Sequence, residues 1–185
     1  MSLLKTIVQQ WIIAGLLTSV LILFSAQTHI AREYQIKAVF LFNFAQFVEW
    51  PGTAFAQTNS IVIGVLGEDP FGAYLDEAVR GEEINGHPLV VQRYRQVKDV
   101  KTCHILFINA TEAHQLKQVL TALKSKNVLT VSDADNFTKQ GGMIRFVTED
   151  RKTRIRINLE AAKEADLSIS SKLLRLADIV TNKNP

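Results

Sequence analysis

The order of apolar and polar residues along the chain predicts short buried strands that alternate with helices. Apolar runs typical of buried strands cover residues 61–66, 89–94, 103–108 and 128–131. A helix is predicted over about 69–80, with Asp69 as its cap and Pro70 at its first position. Another is predicted from Thr111, where apolar residues recur every three or four positions. Such alternation is typical of a parallel sheet covered by helices on both faces.

The last part of the chain contains two strands with a different pattern. Residues 143–148 and 153–158 alternate strictly between apolar and polar positions, and a polar turn joins them. This alternation indicates an antiparallel hairpin with one face in water. Further helices are predicted over 159–165 and 170–180. We therefore expect an α/β fold, a three-layer α/β/α sandwich with a mostly parallel sheet and an antiparallel hairpin at one edge.

A helix predicted over residues 33–50, ended by Pro51, carries more apolar surface than one contact requires. Its apolar residues lie on more than one side, whereas a surface helix needs a single apolar stripe. One side would pack on its own domain, and another could contact a partner or a second copy of the chain. The candidate contact residues are the aromatics Phe40, Phe44, Phe47 and Trp50. The alternative is that all four belong to the core.

The N-terminal 26 residues have the layout of a secretory signal peptide. Lys5 supplies a positive charge, an apolar run covers residues 11–24, and small and polar residues follow. The run is shorter than the ~20 residues that a membrane-spanning helix needs. We therefore expect residues 1–26 to direct export and residues 27–185 to form one domain, with an uncleaved membrane anchor as the alternative. An exported protein has no supply of ATP or reduced nicotinamide, which disfavours nucleotide-driven reactions.

Composition and motifs narrow the function further. The 21 basic and 18 acidic residues give a formal net charge of +3, and the basic residues form no run, so a nucleic-acid partner is not expected. Cys103 is the single cysteine, which rules out an internal disulfide, and its apolar neighbours predict a buried, inert thiol. The 4 histidines lack the spacing of a metal site, and no catalytic motif is present. We expect no metal, no cofactor and no enzymatic activity.

Basic side chains are the remaining candidates for recognition. Arg145, Arg154 and Arg156 would project from the polar face of the hairpin. A guanidinium there could hold a carboxylate or phosphate through two hydrogen bonds. The alternative is a solvated strand that charge protects against aggregation. Lys172 and Arg175, on the last predicted helix, are expected to face water, and contact with a partner is the second possibility.

Three stretches of the sequence together resemble a known family. They are Lys37–Pro51, Ile63–Gly72 and Ile157–Ala177, and the last contains the most specific block, Ser-Ser-Lys-Leu-Leu-Arg-Leu-Ala. Over residues 33–180 the chain resembles the YfiR family of small exported proteins. The resemblance implies a three-layer α/β domain in the periplasm that represses an inner-membrane diguanylate cyclase by holding its periplasmic sensor domain inactive. YfiR itself has paired cysteines, and the lone Cys103 excludes redox control through an internal disulfide here.

A second function remains open at this point. A periplasmic domain of this class could instead bind a small anionic ligand and pass the signal to a membrane sensor kinase or cyclase. Its cleft would lie at the carboxyl ends of the strands predicted over 61–66, 103–108 and 128–131. A homodimer is also compatible with the surplus apolar surface of the first helix.

Overall fold

The computed structural model describes residues 31–109, 113–124, 126–150 and 152–180. The described residues from 35 onward form one compact unit. The predicted signal peptide, residues 1–26, lies outside the described residues. Within the described ranges, no helix combines the length and the hydropathy that crossing a bilayer requires.

Short strands and helices alternate along the described chain, as the sequence pattern predicts. In chain order the elements are α1 (31–47), β1 (Val48–Glu49), β2 (Ile61–Leu66), α2 (Ala73–Val79), β3 (Glu83–Ile84), β4 (His87–Tyr94), β5 (Ile105–Ile108), α3 (Ala113–Leu123), β6 (Leu129–Ser132), β7 (Ile144–Glu149), β8 (Lys152–Asn158), α4 (Leu159–Glu164), β9 (Ser168–Ile169), α5 (Ser171–Leu174) and β10 (Ala177–Val180).

Eight strands form one mixed, mostly parallel sheet in the order β10-β8-β7-β6-β5-β2-β4-β3. Neighbouring strands in the part β7-β6-β5-β2-β4 all pair in parallel, and β10 pairs in parallel with β8. Only the hairpins β7–β8 and β3–β4 are antiparallel within this sheet. A second, two-stranded sheet pairs β1 with β9. The predicted α/β fold and the antiparallel hairpin are confirmed.

Helices pack on both faces of the large sheet. Phe107 of β5 and Phe146 of β7 lie on one face, where Phe146 contacts two aromatic rings of α1. Leu106 points to the opposite face because side chains alternate along a strand, and it belongs to a buried cluster with Leu116 and Leu123 of α3. These two faces are called the α1 face and the α3 face below.

The last segment differs from its prediction. Residues 170–180 were expected to form a helix, but only α5 is helical and β10 is a strand. Ala177 and Ile179 pair with Ile155 and Ile157 of β8, so the sheet completes the backbone hydrogen bonds of β10 on one side. Packing of the β-branched Ile179 on a neighbouring strand overrides the local helical pattern. As a result, the β7–β8 hairpin lies one strand in from the sheet edge.

The first two helices have different limits from those predicted. Helix α1 ends before Val48, not at Trp50, because residues 48–49 pair with β9. Helix α2 begins at Ala73 instead of Pro70. The carboxylate of Asp69 does not cap that helix, since it accepts a hydrogen bond from the N–H of Phe71 and pairs with an arginine of β4.

Candidate functional site

The aromatic residues of α1 divide between core and surface. Phe44 is fully buried and stacks on Phe146, with ring centres 5.9 Å apart. Phe40 is partly buried and meets the same ring edge-on at 5.8 Å. The core alternative therefore holds for Phe44, which anchors α1 to the sheet and is not available to a partner. Phe40 and Phe47 each keep part of their surface accessible.

Trp50 ties the segment after α1 to the sheet. Its Nε1 donates a hydrogen bond to the carbonyl oxygen of His104 at 3.2 Å, and its ring meets the His104 ring edge-on at 5.8 Å. The ring of Phe55 stacks between the rings of His104 and His87, with ring centres 4.7 Å and 4.2 Å away, respectively. These contacts give Trp50 a structural role, although part of its surface stays exposed.

The end of α1 and the closing segment of the chain are hydrogen-bonded to each other. Val48 pairs with Ile169 and Glu49 with Ser168, and the N–H of Ser170 donates to the carbonyl oxygen of Phe47 at 2.8 Å. We call this pairing the β1–β9 joint. It brings together the first and the last of the three stretches that carry the family resemblance. These stretches, which lie far apart in sequence, therefore form one continuous region of the fold.

Exposed apolar side chains lie on α1 and around β10. Ile36 and Val39 are exposed on α1, while Leu176 is 72% and Ile179 is 43% exposed at β10. Ile179 is in register with Ile157, so it lies on the α1 face of the sheet. Leu176 and Ile179 were not among the predicted contact residues, because both fall within the helix predicted over 170–180. The β-branched pair Ile179-Val180 was the signal that could have indicated a strand.

The arginine that begins the hairpin pattern is engaged within the fold. The Nη2 atom of Arg145 donates a hydrogen bond to a carboxylate oxygen of Asp135, which is itself exposed. The side chain of Arg145 is largely buried between the strands and this loop. An anion that used Arg145 would have to displace Asp135.

The two other arginines of the hairpin share one acidic partner. Arg156 donates to Glu149 at 2.8 Å, and Arg154 lies 3.7 Å from the other oxygen of that carboxylate. Arg156 also approaches Asp178 of β10 at 4.0 Å. The predicted basic face is thus a network of alternating charges, which agrees with the solvated-strand alternative. A small anionic ligand for it stays a prediction.

Lys172 and Arg175 lie where water can reach them. Both are exposed, Lys172 within α5 and Arg175 directly after it. Among the described residues neither forms an ion pair. The two side chains therefore present unneutralised positive charge next to the start of β10.

Two well-formed cavities lie away from the cleft that the sequence predicted. One, of about 260 Å³, lies between α3 and α4. The other, of about 240 Å³, lies near the amino ends of β5 and β6. At the predicted position, Asn109 Nδ2 donates to the carbonyl oxygen of Glu68, and a Cβ atom on Gly67 would meet the carbonyl oxygen of Asn109 at 2.7 Å. Residues 110–112 of that edge lie outside the described residues.

The buried pair Cys103 and His104 is held in neutral form. Burial raises the pKa of the Cys103 thiol to about 12, which confirms the predicted buried thiol and keeps thiolate scarce. Burial also lowers the pKa of His104 to about 4. The N–H of Val62 donates to His104 Nδ1 at 3.0 Å, which places the proton of the neutral ring on Nε2.

Most of the chain matches one protein family. A model of the protein family described as YfiR/HmsC-like matches residues 34–178. The chain belongs to the YfiR/HmsC-like family. The match runs from α1 into β10, so both partners of the β1–β9 joint and the start of the edge strand are parts of the shared domain. A search of the curated proteins finds no match.

Proposed function

We propose that this protein is a periplasmic, non-enzymatic regulator that binds the sensor domain of an inner-membrane diguanylate cyclase and restrains cyclic-di-GMP synthesis. The observation that carries the proposal is the YfiR/HmsC-like match over residues 34–178. This family supports a general role in the regulation of diguanylate cyclases through a membrane signalling partner. The specific act of repression and the periplasmic location are parts of the proposal.

The mechanism is a preference for one conformation of the sensor. A bound protein can shift a two-state sensor only by the difference between its affinities for the two states. A hundredfold difference corresponds to about 2.7 kcal/mol. A few buried apolar anchors in an interface can supply that amount. Val39 and Leu176, together with the accessible part of Phe47, are exposed apolar groups of the kind that provide such anchors.

Chromosomal deletion and complementation test the proposal. Deletion of the gene should raise cellular cyclic-di-GMP and biofilm formation, and the full-length gene should restore both to the parental level. A matched variant that lacks residues 1–26 should accumulate in the cytoplasm and fail to restore repression, because it cannot reach a periplasmic domain. Unchanged cyclic-di-GMP after both deletion and overexpression would contradict the proposal. Full complementation by the leaderless variant would contradict the proposed location.

A further inference from the structure

The strand β10 is the outermost strand at its side of the large sheet. Within the described ranges it pairs with β8 alone, so its other backbone edge has no strand beside it. Backbone N–H and C=O groups on such an edge can pair with a strand from another chain. An edge of this kind is a binding template unless side chains protect it.

The two edges of the sheet are protected to different degrees. The opposite edge, β3, is only two residues long, is folded onto β4 by a tight turn, and contains Glu83. By contrast, β10 is four residues long, contains neither proline nor lysine, and has a single charged residue, Asp178. Leu176 and Ile179 expose apolar surface at this edge. Short length and charge, the devices that keep edges from pairing, are thus found at β3 and are largely missing at β10.

The side chains around β10 indicate the chemistry of what binds there. Ile179 continues the apolar row of Ile157 on the α1 face, so a strand added next to β10 would extend that row with apolar residues. Lys172 and Arg175 are exposed just before β10, and no ion pair with another described residue neutralises them. Acidic residues on the incoming segment would complement these two charges.

We propose that the free edge of β10 binds an extended segment of another protein by strand addition. The segment has apolar residues on the α1 face and acidic residues beside Lys172 and Arg175. This inference deepens the function proposed above and rests on it for the identity of the partner, the membrane sensor. It locates the contact at the end of the sheet next to the closing family stretch.

A second copy of the chain fits this edge less well. A two-fold axis perpendicular to the sheet would keep each side chain on its own face, so opposite residues must come from the same face of the strand. The register centred on Asp178 then places two carboxylates opposite each other, which is destabilising. The register centred on Ile179 pairs only residues 178–180 of the described strand. A different polypeptide is under neither constraint.

Lysine substitutions at the edge test the surface. Ile179→Lys and Leu176→Lys should weaken partner binding about tenfold or more and abolish repression, because the first places a charge on the added row and the second replaces exposed apolar surface at the same edge. The matched control is Tyr74→Lys, an exposed apolar position on α2, which packs near β4 at the other end of the sheet. All three variants should keep the wild-type thermal midpoint within ~2 °C, since each side chain is exposed. Full repression by both edge variants would overturn the inference.

Amide hydrogen exchange tests strand addition independently of repression. The tagged full-length chain, purified with the protein cross-linked to it in cells, should exchange residues 177–180 at least tenfold more slowly than the chain alone. If repression is intact but these amides are not protected, strand addition is wrong and the proposed function stands. If deletion leaves cyclic-di-GMP unchanged while the amides are protected, the proposed function is wrong and the binding edge stands.

Two other occupants have distinct signatures. A dimer of the purified chain in sedimentation that Ile179→Lys dissociates would assign the edge to a second copy. Binding to phosphatidylglycerol vesicles that the same substitution removes would assign it to a lipid surface. Either result would overturn the proposed occupant.

Discussion

Lys37 and Asp133 form an ion pair of 2.7 Å that joins helix α1 to the loop after β6. The lysine side chain is only 3% exposed, and its Nζ atom lies 5.9 Å from the centre of the Phe146 ring. Because Lys37 must point into the sheet, the rotation of α1 about its own axis is fixed. That rotation leaves Ile36 and Val39 in solvent. The buried charge therefore determines which apolar residues α1 presents.

The same loop is held from both sides of the sheet. Asp133 pairs with Lys37 on the α1 face. Asp135 pairs with Arg145, which lies on the α3 face because side chains alternate along β7. No periodicity or motif in the sequence assigns a partner to either aspartate. Their partners lie on α1 and β7, so only the tertiary structure shows that they bind cations on opposite faces.

Asp133→Ala should lower the free energy of unfolding by about 3 kcal/mol, because it leaves the buried Lys37 ammonium without this carboxylate. Lys37→Met should cost less, since methionine fills a similar volume and the remaining carboxylate is closer to water. The double variant should be less destabilised than the sum of the single variants. Urea denaturation of the four proteins measures these values. Strict additivity would show that the pair contributes no coupling.

Phe44→Ala should destabilise the fold by about 3–5 kcal/mol, because it removes a fully buried ring that stacks on Phe146. Phe47→Ala should cost clearly less, since Phe47 is partly exposed. Thermal and chemical denaturation compare the two variants. If Phe47→Ala abolishes repression while its unfolding midpoint stays close to that of the wild type, Phe47 contacts the partner. An equal loss of stability in both variants would assign Phe47 to the core.

Stability should fall as the pH is lowered from about 6.5 to about 4, because the pKa of His104 is depressed to about 4 from an ordinary value of 6.5. In this range the unfolded chain binds a proton that the folded protein excludes, so the free energy of unfolding rises with pH. The shift corresponds to about 3 kcal/mol across the window. His104→Asn retains an acceptor for the N–H of Val62. In this variant the slope of unfolding free energy against pH should correspond to one bound proton fewer. An unchanged slope of unfolding free energy against pH would argue against a buried neutral His104.

Arg93 clamps the start of α2 to β4, and Arg93→Lys should lower the free energy of unfolding by about 1 kcal/mol. Its guanidinium donates to Asp69 at 2.7 Å, to Asp76 at 2.6 Å and to the carbonyl oxygen of Gly72 at 3.0 Å. Lysine cannot make these contacts at once. The hydrogen bond from Arg93 also lowers the pKa of Asp76. The control Arg95→Lys, at an exposed position, should leave urea stability unchanged. Equal stability of the two variants would show that the clamp contributes nothing.

The hydrophobic periodicity predicted the secondary structure correctly where the local pattern and the tertiary packing favour the same element. The runs 61–66 and 103–108 are apolar on both faces, so they predict strands buried between two helical layers, and β2 and β5 occupy these positions. The strict alternation in 153–158 likewise predicts β8 and its partner strand. The helix predicted over residues 170–180 was wrong because the apolar spacing there fits a helix locally. The neighbouring edge of β8 offered hydrogen bonds that made β10 a strand instead.

The sequence by itself determined the α/β class, the buried strands, the lone buried cysteine and, through its signature stretches, the family. Each of these depends on patterns within one element or on the identity of residues. The tertiary structure alone decided which aromatic of α1 is buried, which acid neutralises each hairpin arginine, and which edge of the sheet stays open. Those features arise from contacts between residues far apart in the chain, such as Lys37 with Asp133, and no local spacing specifies them.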